Sequence, residues 1–123
     1  MAMHTVAQTS SFIRAAVDAG MTEDEIDALV VYLSENPTAG DEMPGTGGCR
    51  KLRFAGRGKG KRGGYRSITF YTGKQMPLFL ITVFAKGENA DLSQAERNEL
   101  RKLTKLIVAE YSARLAPNGR KGV

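Results

Sequence analysis

Basic side chains are concentrated in the middle of this chain of 123 residues. Residues 50–66 carry eight lysines and arginines and no acid, whereas residues 1–49 carry eight acids and a single base. Placing eight like charges in so short a segment costs repulsion in the folded protein, and a polyanionic partner relieves that repulsion. The pattern favours nucleic acid as the partner, with a solvated basic loop as the alternative.

These cations fall into two groups, one in a glycine-rich loop and one on the extended segments beside it. The loop holds Arg57, Lys59, Lys61 and Arg62, and the flanks hold Lys51, Arg53 and Arg66. Glycine lets the backbone approach a phosphate closely while long cationic side chains reach around it. Tyr65 lies beside this group and offers a ring on which an unpaired base stacks. We therefore expect an RNA-binding surface built from these cations and Tyr65.

The sequence lacks the side chains that several other kinds of site require. The only histidine is His4 and the only cysteine is Cys49, so a two-histidine ribonuclease and a metal site built on His or Cys ligands are out of reach. Gly58, Gly60 and Gly63 spell G-x-G-x-x-G, but a strand is predicted after them, whereas a dinucleotide site needs a helix there. We expect neither a metal nor a cofactor.

The same features bear on where the protein acts. A lone cysteine forms no internal disulfide and fits a reducing compartment. No apolar run approaches the roughly 18 residues that span a bilayer, and the first residues lack the basic start and apolar core of a signal peptide. These observations predict a cytoplasmic protein without membrane contact.

Two helices are predicted in the acidic N-terminal third, after an extended lead at residues 5–9. Ser11 is the expected N-cap of the first helix, Gly20 is its expected end, and Ile13, Ala16 and Val17 form its expected buried face.

The second helix has a stronger start signal. Thr22 and Glu25 have the spacing of a capping box, and Asn36-Pro37 stops the helix. The apolar stripe between them is Ile26, Leu29, Val30 and Leu33, and the acids Glu23, Asp24 and Asp27 are expected to be solvated.

Strands are predicted beyond a connecting loop at residues 38–48. In residues 49–55, Leu52 and Phe54 alternate with Lys51 and Arg53, as in a half-buried antiparallel strand. Residues 65–71 are β-branched and aromatic, and residues 78–85 form an apolar run typical of a strand buried on both faces. Together they predict a meander of at least three strands.

A C-terminal helix completes the predicted domain. Ser93 and Glu96 form a second capping box, and the helix that follows carries its apolar side chains on one stripe at Leu100, Leu103, Ile107 and Tyr111. The expected fold is therefore α+β, with an antiparallel sheet, N-terminal helices and a C-terminal helix in a single domain over residues 1–123.

Three ordered motifs in this sequence resemble a known family. The runs NPTAGDEMPGTGGCRKLRF, GKGKRGGYRSITFY and LFLITVFAKGENADLS, the last followed by a helix, are similar to the HigB branch of RelE-like toxins across roughly residues 5–112. The resemblance implies a RelE-like, microbial-RNase-like fold whose concave sheet face binds mRNA on the ribosome. It also implies metal-independent cleavage by attack of the ribose 2′-hydroxyl on the neighbouring phosphorus, and a cognate DNA-binding antitoxin.

The resemblance also assigns roles to individual residues. Arg66 matches the arginine of the family's G-Y-R strand, which holds the scissile phosphate, and Lys86 matches its A-K element. Lys59, Lys61 and Arg62 match the basic run before G-Y-R, which contacts RNA backbones. An arginine keeps its proton, so Arg66 stabilises charge only. A lysine crowded by cations has a lowered pKa, which makes Lys86 and Lys61 the candidates for proton transfer.

Two departures from the family pattern and two alternatives accompany this interpretation. Glu88, a weaker candidate for positioning or proton transfer, stands where many relatives have a second cation, and the stretch from Ala90 to Ala95, where better-studied relatives have a tyrosine, has none. Alternation also puts Arg66 on the same side as Ile68 and Phe70, so that this face must change from polar to apolar. The alternatives are a ParE-like gyrase inhibitor with the same fold and a non-catalytic RNA-binding module.

Overall fold

The computed structural model describes residues 4–55, 64–73, 75–85 and 92–115. Their order is β1 (Val6–Gln8), α1 (Ser10–Ala19), α2 (Glu23–Glu35), β2 (Asp41–Glu42), β3 (Cys49–Phe54), β4 (Tyr65–Phe70), β5 (Leu78–Ala85) and α3 (Gln94–Leu115). The α+β class and the placement of helices at both ends confirm the prediction from sequence. None of the helices in these ranges is long and apolar enough to cross a membrane.

The strands of the described residues form one five-stranded sheet in the order β1-β5-β4-β3-β2. The predicted meander is present, because β3 pairs antiparallel with β4 and β4 pairs antiparallel with β5. The sheet is wider than predicted and mixed, since the N-terminal extended segment pairs parallel with β5. The predicted loop at residues 38–48 also contributes a short strand, β2, which pairs antiparallel with β3.

A β-bulge in β5 sets which side chains point to which face. Ile68 of β4 pairs with Thr82 and the next residue, Thr69, pairs with Leu80, which leaves Ile81 as the extra residue. After the bulge, Phe84 lies opposite Arg66 on β4.

One face of the sheet is covered by α1 and α2, and we call it the two-helix face. Its core contains Phe12 and Ala16 from α1, Leu29 and Leu33 from α2, and Leu52, Tyr65, Leu78, Leu80 and Val83 from the strands. The predicted stripe of α2 is confirmed, because Leu29 and Leu33 are fully buried and Ile26 and Val30 pack against them.

The predicted start of α1 is wrong by two residues. Thr9, not Ser11, is the N-cap, and its hydroxyl accepts a hydrogen bond of 3.1 Å from the amide of Phe12. The same hydroxyl donates to the carbonyl of Leu80 at 2.8 Å, so the cap also ties the helix to β5. Gly20 ends the helix with a φ of 80°, as predicted.

The predicted buried face of α1 is also wrong in part. Phe12 and Ala16 are buried, whereas Ile13 and Val17 are 52% and 74% exposed. Both stripes have helical spacing, and packing against β5 selects the one that contains the large ring of Phe12.

The capping box of α2 is confirmed and has an additional partner. Glu25 accepts a hydrogen bond of 2.9 Å from the amide of Thr22 and one of 3.0 Å from the hydroxyl of Tyr65 in β4. Glu25 is buried, so this carboxylate fixes the start of α2 against the start of β4.

The opposite face of the sheet is covered by α3, and we call it the α3 face. Its core contains Cys49, Ile68, Phe70, Ile81 and Phe84, against which Leu100, Leu103 and Ile107 pack. The ring of Tyr111 meets Phe79 edge to face at 5.8 Å. The predicted apolar stripe of α3 is thereby confirmed, as is its capping box, in which Ser93 and Glu96 exchange hydrogen bonds of 2.8 and 3.1 Å.

The turn before β3 holds α3 in place. Thr104 of α3 donates a hydrogen bond of 3.3 Å to the carbonyl of Thr46, and Arg97 donates one of 2.8 Å to the carbonyl of Pro44. Thr46 and Thr104 are both buried, so their bond lies inside the interface between the turn and the helix, whereas the bond of Arg97 lies at its exposed edge.

Candidate RNA-binding surface

Three basic residues of β3 and β4 share the α3 face. Arg53 lies directly opposite Arg66, and Lys51 lies directly opposite Ile68. Paired residues in an antiparallel sheet point to the same side, and alternation along β4 places Arg66 on the side of Ile68 and Phe70. We call Lys51, Arg53 and Arg66 the cationic patch.

Burial falls steadily along this face toward the cationic patch. On β3, Cys49 is fully buried, Lys51 is partly buried and Arg53 is exposed. On β4, Ile68 is fully buried and Arg66 is partly buried. The predicted change of this face from apolar to polar is therefore confirmed, and the change occurs between one cross-strand row and the next.

The charges of Arg53 and Arg66 are uncompensated within the described part of the chain. The salt bridge found there on β3 joins Arg50 to Glu42 at 3.7 Å, and Arg50 points to the opposite side of the strand. Like charges directly opposite each other in a sheet are destabilising. The Nη1 atom of Arg66 is buried and has no hydrogen-bond partner among the described residues. A buried guanidinium nitrogen without a partner beside a second arginine is an arrangement that an anionic oxygen would satisfy.

The remaining candidate residues lie outside the described residues. These are the loop cations Arg57, Lys59, Lys61 and Arg62, together with Lys86 and Glu88. The described chain leaves β3 after Phe54 and leaves β5 at Ala85, and both residues pair with Tyr65 at the start of β4. Both segments that hold these candidates therefore begin from the end of the sheet that carries Arg66.

Tyr65 does not occupy the position that base stacking requires. It is 1% exposed and belongs to the core of the two-helix face, where its hydroxyl binds Glu25. The expectation that Tyr65 binds RNA is therefore not supported, because its ring points away from the cationic patch. The sequence itself indicated this position, because alternation along β4 places Tyr65 and its neighbour Arg66 on opposite faces.

His4 and Tyr71 contact each other beside the two-helix face. The ring of His4 contacts Tyr71 edge to face at 5.4 Å, and the Tyr71 hydroxyl lies 3.3 Å from its Nδ1 atom. Tyr71 packs against the core of the two-helix face. His4 is thus part of the packed N-terminal strand region and not a bare surface residue.

Two features of this region were missed from sequence. The direct opposition of Arg53 and Arg66 depends on strand register, which composition and alternation leave undetermined. Glu25 was recognised as a helix cap, but its bond to Tyr65, the neighbour of Arg66, links residues 40 positions apart. No local pattern reports such a contact.

The lone cysteine, Cys49, lies at the buried end of the α3 face, away from the cationic patch. Burial raises the pKa of the Cys49 thiol to about 11, and a hydrogen bond involving Thr46 acts in the opposite direction. The thiol is therefore protonated and unreactive at neutral pH.

The family of the chain follows from a comparison with known proteins. A family model described as the RelE toxin of the RelE/RelB toxin–antitoxin system matches residues 4–122. The match contains every helix and strand of the structure, including β1 and both strands of the cationic patch. The chain therefore belongs to the RelE toxin family of toxin–antitoxin systems.

Proposed function

We propose that this toxin is a ribosome-dependent mRNA interferase that cleaves mRNA by metal-independent transesterification. The 2′-hydroxyl attacks the adjacent phosphorus, the bond from phosphorus to the 5′-oxygen breaks, and a 2′,3′-cyclic phosphate and a 5′-hydroxyl result. The observation that carries the proposal is the unsatisfied Nη1 atom of Arg66 directly opposite Arg53.

In this proposal, Arg66 and Arg53 hold one phosphate between them. Residues directly opposite in an antiparallel pair have Cβ atoms about 4.5–5.5 Å apart, so their side chains reach the two sides of one phosphate group. Arginine offers paired N–H donors that match phosphate oxygens and that keep their charge at every physiological pH. Charge accumulates on those oxygens in the pentacoordinate transition state, where fixed donors contribute most.

The proton transfers fall to residues other than these arginines. The 2′-hydroxyl must lose a proton and the leaving 5′-oxygen must gain one. Lys86 and Lys61 are the proposed proton carriers and Glu88 is the weaker candidate, as the family resemblance implies. Lys59 and Arg62, with Arg57 and Lys51, would bind RNA backbone phosphates and contribute mainly to affinity.

The test separates binding of RNA from the chemical step. We expect Arg66→Ala to lower single-turnover cleavage of mRNA on translating ribosomes by roughly a hundredfold or more, with only a few-fold loss of affinity. Arg66→Lys keeps the charge and loses the paired donors, so an intermediate rate is expected. Arg14→Ala is the matched control, because Arg14 is exposed on α1 and its loss changes the net charge equally.

Each outcome bears on a different part of the proposal. Equal cleavage by wild type and Arg66→Ala would remove Arg66 from the chemistry. Cleavage of free mRNA at the same rate as ribosome-bound mRNA would contradict ribosome dependence. Intact mRNA together with trapped gyrase on DNA would replace the nuclease by a gyrase inhibitor.

A further inference from the structure

Charge is divided between the two sides of α3. Three bases follow one side at intervals of four residues, and we call them the α3 row: Arg97, Arg101 and Lys105. This spacing places them within an arc of about 80° around the helix axis. The acids of the described helix lie within about 60° on the other side of its apolar stripe: Glu96, Glu99 and Glu110. The side of α3 that carries the row therefore has no acid of its own among the described residues.

The charges of the α3 row are not compensated within the helix. Like charges four residues apart repel each other on a helix surface. None of the three bases has a Glu or Asp three or four residues away, where an ion pair would form. No carboxylate of the described ranges forms a salt bridge with them. An anionic partner outside the chain would relieve this repulsion.

The turn before β3 holds the side chains of the α3 row in place. Arg97 donates its hydrogen bond of 2.8 Å to the carbonyl of Pro44. Gly47 has a φ of 82° and lies so close to the helix that a Cβ atom there would collide with Thr104 and stand 3.6 Å from the Cγ atom of Arg101. Because these contacts already restrict the side chains of Arg97 and Arg101, less conformational entropy is lost when they bind a ligand.

The α3 row is anchored at the opposite end of β3 from the paired arginines of the cationic patch. Pro44 and Gly47 belong to the turn that precedes Cys49, the first residue of β3. Arg53 lies four residues farther along the strand, or about 13 Å away at 3.3 Å per residue. One phosphate held between Arg53 and Arg66 therefore does not reach the row, which requires a second stretch of phosphate backbone.

The side chains of α3 favour base-paired RNA over unpaired RNA. Unpaired RNA is bound largely by stacking of its bases on aromatic rings, whereas paired RNA is bound through its phosphates and 2′-hydroxyls. Tyr111 is the only aromatic residue of α3, and its ring packs on Phe79. The row offers cations in a straight line, about 6 Å from one to the next. A rigid line of phosphates exists in paired RNA without prior ordering, so it fits the row at a lower entropic cost.

We propose that the α3 row binds the phosphate backbone of base-paired ribosomal RNA, as a contact separate from the phosphate site at Arg66. The inference rests on the proposed function, in which the ribosome is the source of paired RNA. The row contributes affinity for the ribosome and takes no part in breaking the RNA bond. Contacts at both ends of β3 also fix the orientation of the toxin, because phosphate contacts position a protein on its nucleic acid.

The test measures binding of the purified toxin to purified ribosomes that carry no mRNA, at several salt concentrations. The double variant Arg101→Gln, Lys105→Gln should bind about tenfold more weakly at about 0.1 M salt. Its plot of log affinity against log salt should be flatter by about two units, one for each lost phosphate contact. Arg97 is left in place because its bond to Pro44 holds the turn.

Two single variants serve as matched controls. Arg14→Gln removes one exposed base of α1 and so makes the same change in net charge as Arg101→Gln. We expect Arg101→Gln to flatten the salt dependence by about one unit and Arg14→Gln to leave it unchanged. Arg101→Lys keeps the charge and should bind within about twofold of the wild type. All variants should melt within about 2 °C of the wild type, because the altered residues are exposed.

A short unpaired RNA oligonucleotide with an mRNA sequence distinguishes the two sources of phosphate. Its affinity for the double variant should lie within about twofold of its affinity for the wild type. A loss as large as the loss with ribosomes would mean that the row binds mRNA, which overturns the proposal. Unchanged affinity for ribosomes together with weaker binding of the antitoxin would assign the row to a protein partner and overturn it equally.

The outcomes for the α3 row and for the proposed function are separable. Equal weakening by Arg14→Gln and Arg101→Gln would indicate a general effect of net charge and contradict a contact at the row. A toxin that leaves mRNA intact, but whose double variant loses affinity for ribosomes, would support the row and contradict the nuclease. Cleavage of mRNA on ribosomes that bind the double variant and the wild type equally would support the nuclease and overturn the row.

Discussion

The two faces of the sheet are built from the same strands but differ in where they carry cationic side chains. On the two-helix face, Tyr65, Ser67 and Thr69 of β4 are all at most 1% exposed. On the α3 face, the intervening residues change from fully buried Ile68 to partly buried Arg66. The first face is continuous core, and the second is core at one end and cationic at the other. The two-helix face therefore contributes to stability, and the proposed RNA binding depends on the cationic end of the other face.

The largest effect is expected in the core of the two-helix face. Leu29 is fully buried there, so Leu29→Ala should lower the free energy of unfolding by about 2–5 kcal/mol. Val17→Ala, on the neighbouring helix α1, is the control. Val17 is 74% exposed, so its substitution should change the free energy of unfolding by less than about 0.5 kcal/mol. Denaturant melts measure both, and equal effects would contradict the assignment of the α1 and α2 faces.

The buried end of the α3 face should protect the Cys49 thiol from alkylation. Because the pKa of Cys49 is raised to about 11 from 9.0, the thiolate fraction at neutral pH is about a hundredfold lower than in the unfolded chain. Alkylation of the native protein should be slower by at least that factor and should increase about tenfold per pH unit up to pH 10. Fast, pH-independent alkylation would show that this end is open to water.

A third prediction concerns the hydroxyls buried on the two-helix face. The Oγ1 atom of Thr69 is buried and has no hydrogen-bond partner in the described part of the chain, which costs free energy in the folded state. Thr69→Val keeps the shape and should raise the free energy of unfolding by about 1 kcal/mol. A loss of stability would mean that a bound water satisfies the hydroxyl.

The smallest expected effect lies at the cationic end. Removing one charge from the Arg53 and Arg66 pair should relieve repulsion, so Arg53→Gln should stabilise the protein by up to about 0.5–1 kcal/mol at low salt. The gain should shrink as salt is added. Thermal melts at two salt concentrations measure it, and a destabilised variant would indicate that the pair has an anionic partner in the free protein.

Elements with strong local signals were predicted from sequence, and their relative placement was not. The capping boxes at Thr22 and Ser93 and the apolar run of β5 each contain their own signal within a few residues. The face of α1 was ambiguous because two apolar stripes overlap on one short helix, and contact with β5 decides between them.

For the candidate site, too, the sequence predicted some features and not others. That Arg66 belongs to a surface that changes from apolar to polar followed from alternation along one strand. That Arg53 stands opposite it required the register between β3 and β4, and that the Tyr65 hydroxyl binds Glu25 required a contact between residues 40 positions apart. Local sequence thus identified the cations but not their arrangement.

The bulge at Ile81 constrains how this sequence can evolve. Leu80 and Val83 both face the two helices while Ile81 and Phe84 both face α3, so the strand before the bulge is out of phase with the strand after it. Deleting the extra residue would restore simple alternation and leave Val83 and Phe84 on their present faces and in their present pairs with β4. Within this lineage, loss of that one residue is therefore accessible to selection, whereas loss of a residue between Arg66 and Ile68 in the regular strand β4 would turn Arg66 toward the two-helix face. Strand length at the bulge should accordingly vary more among descendants than strand length in β4.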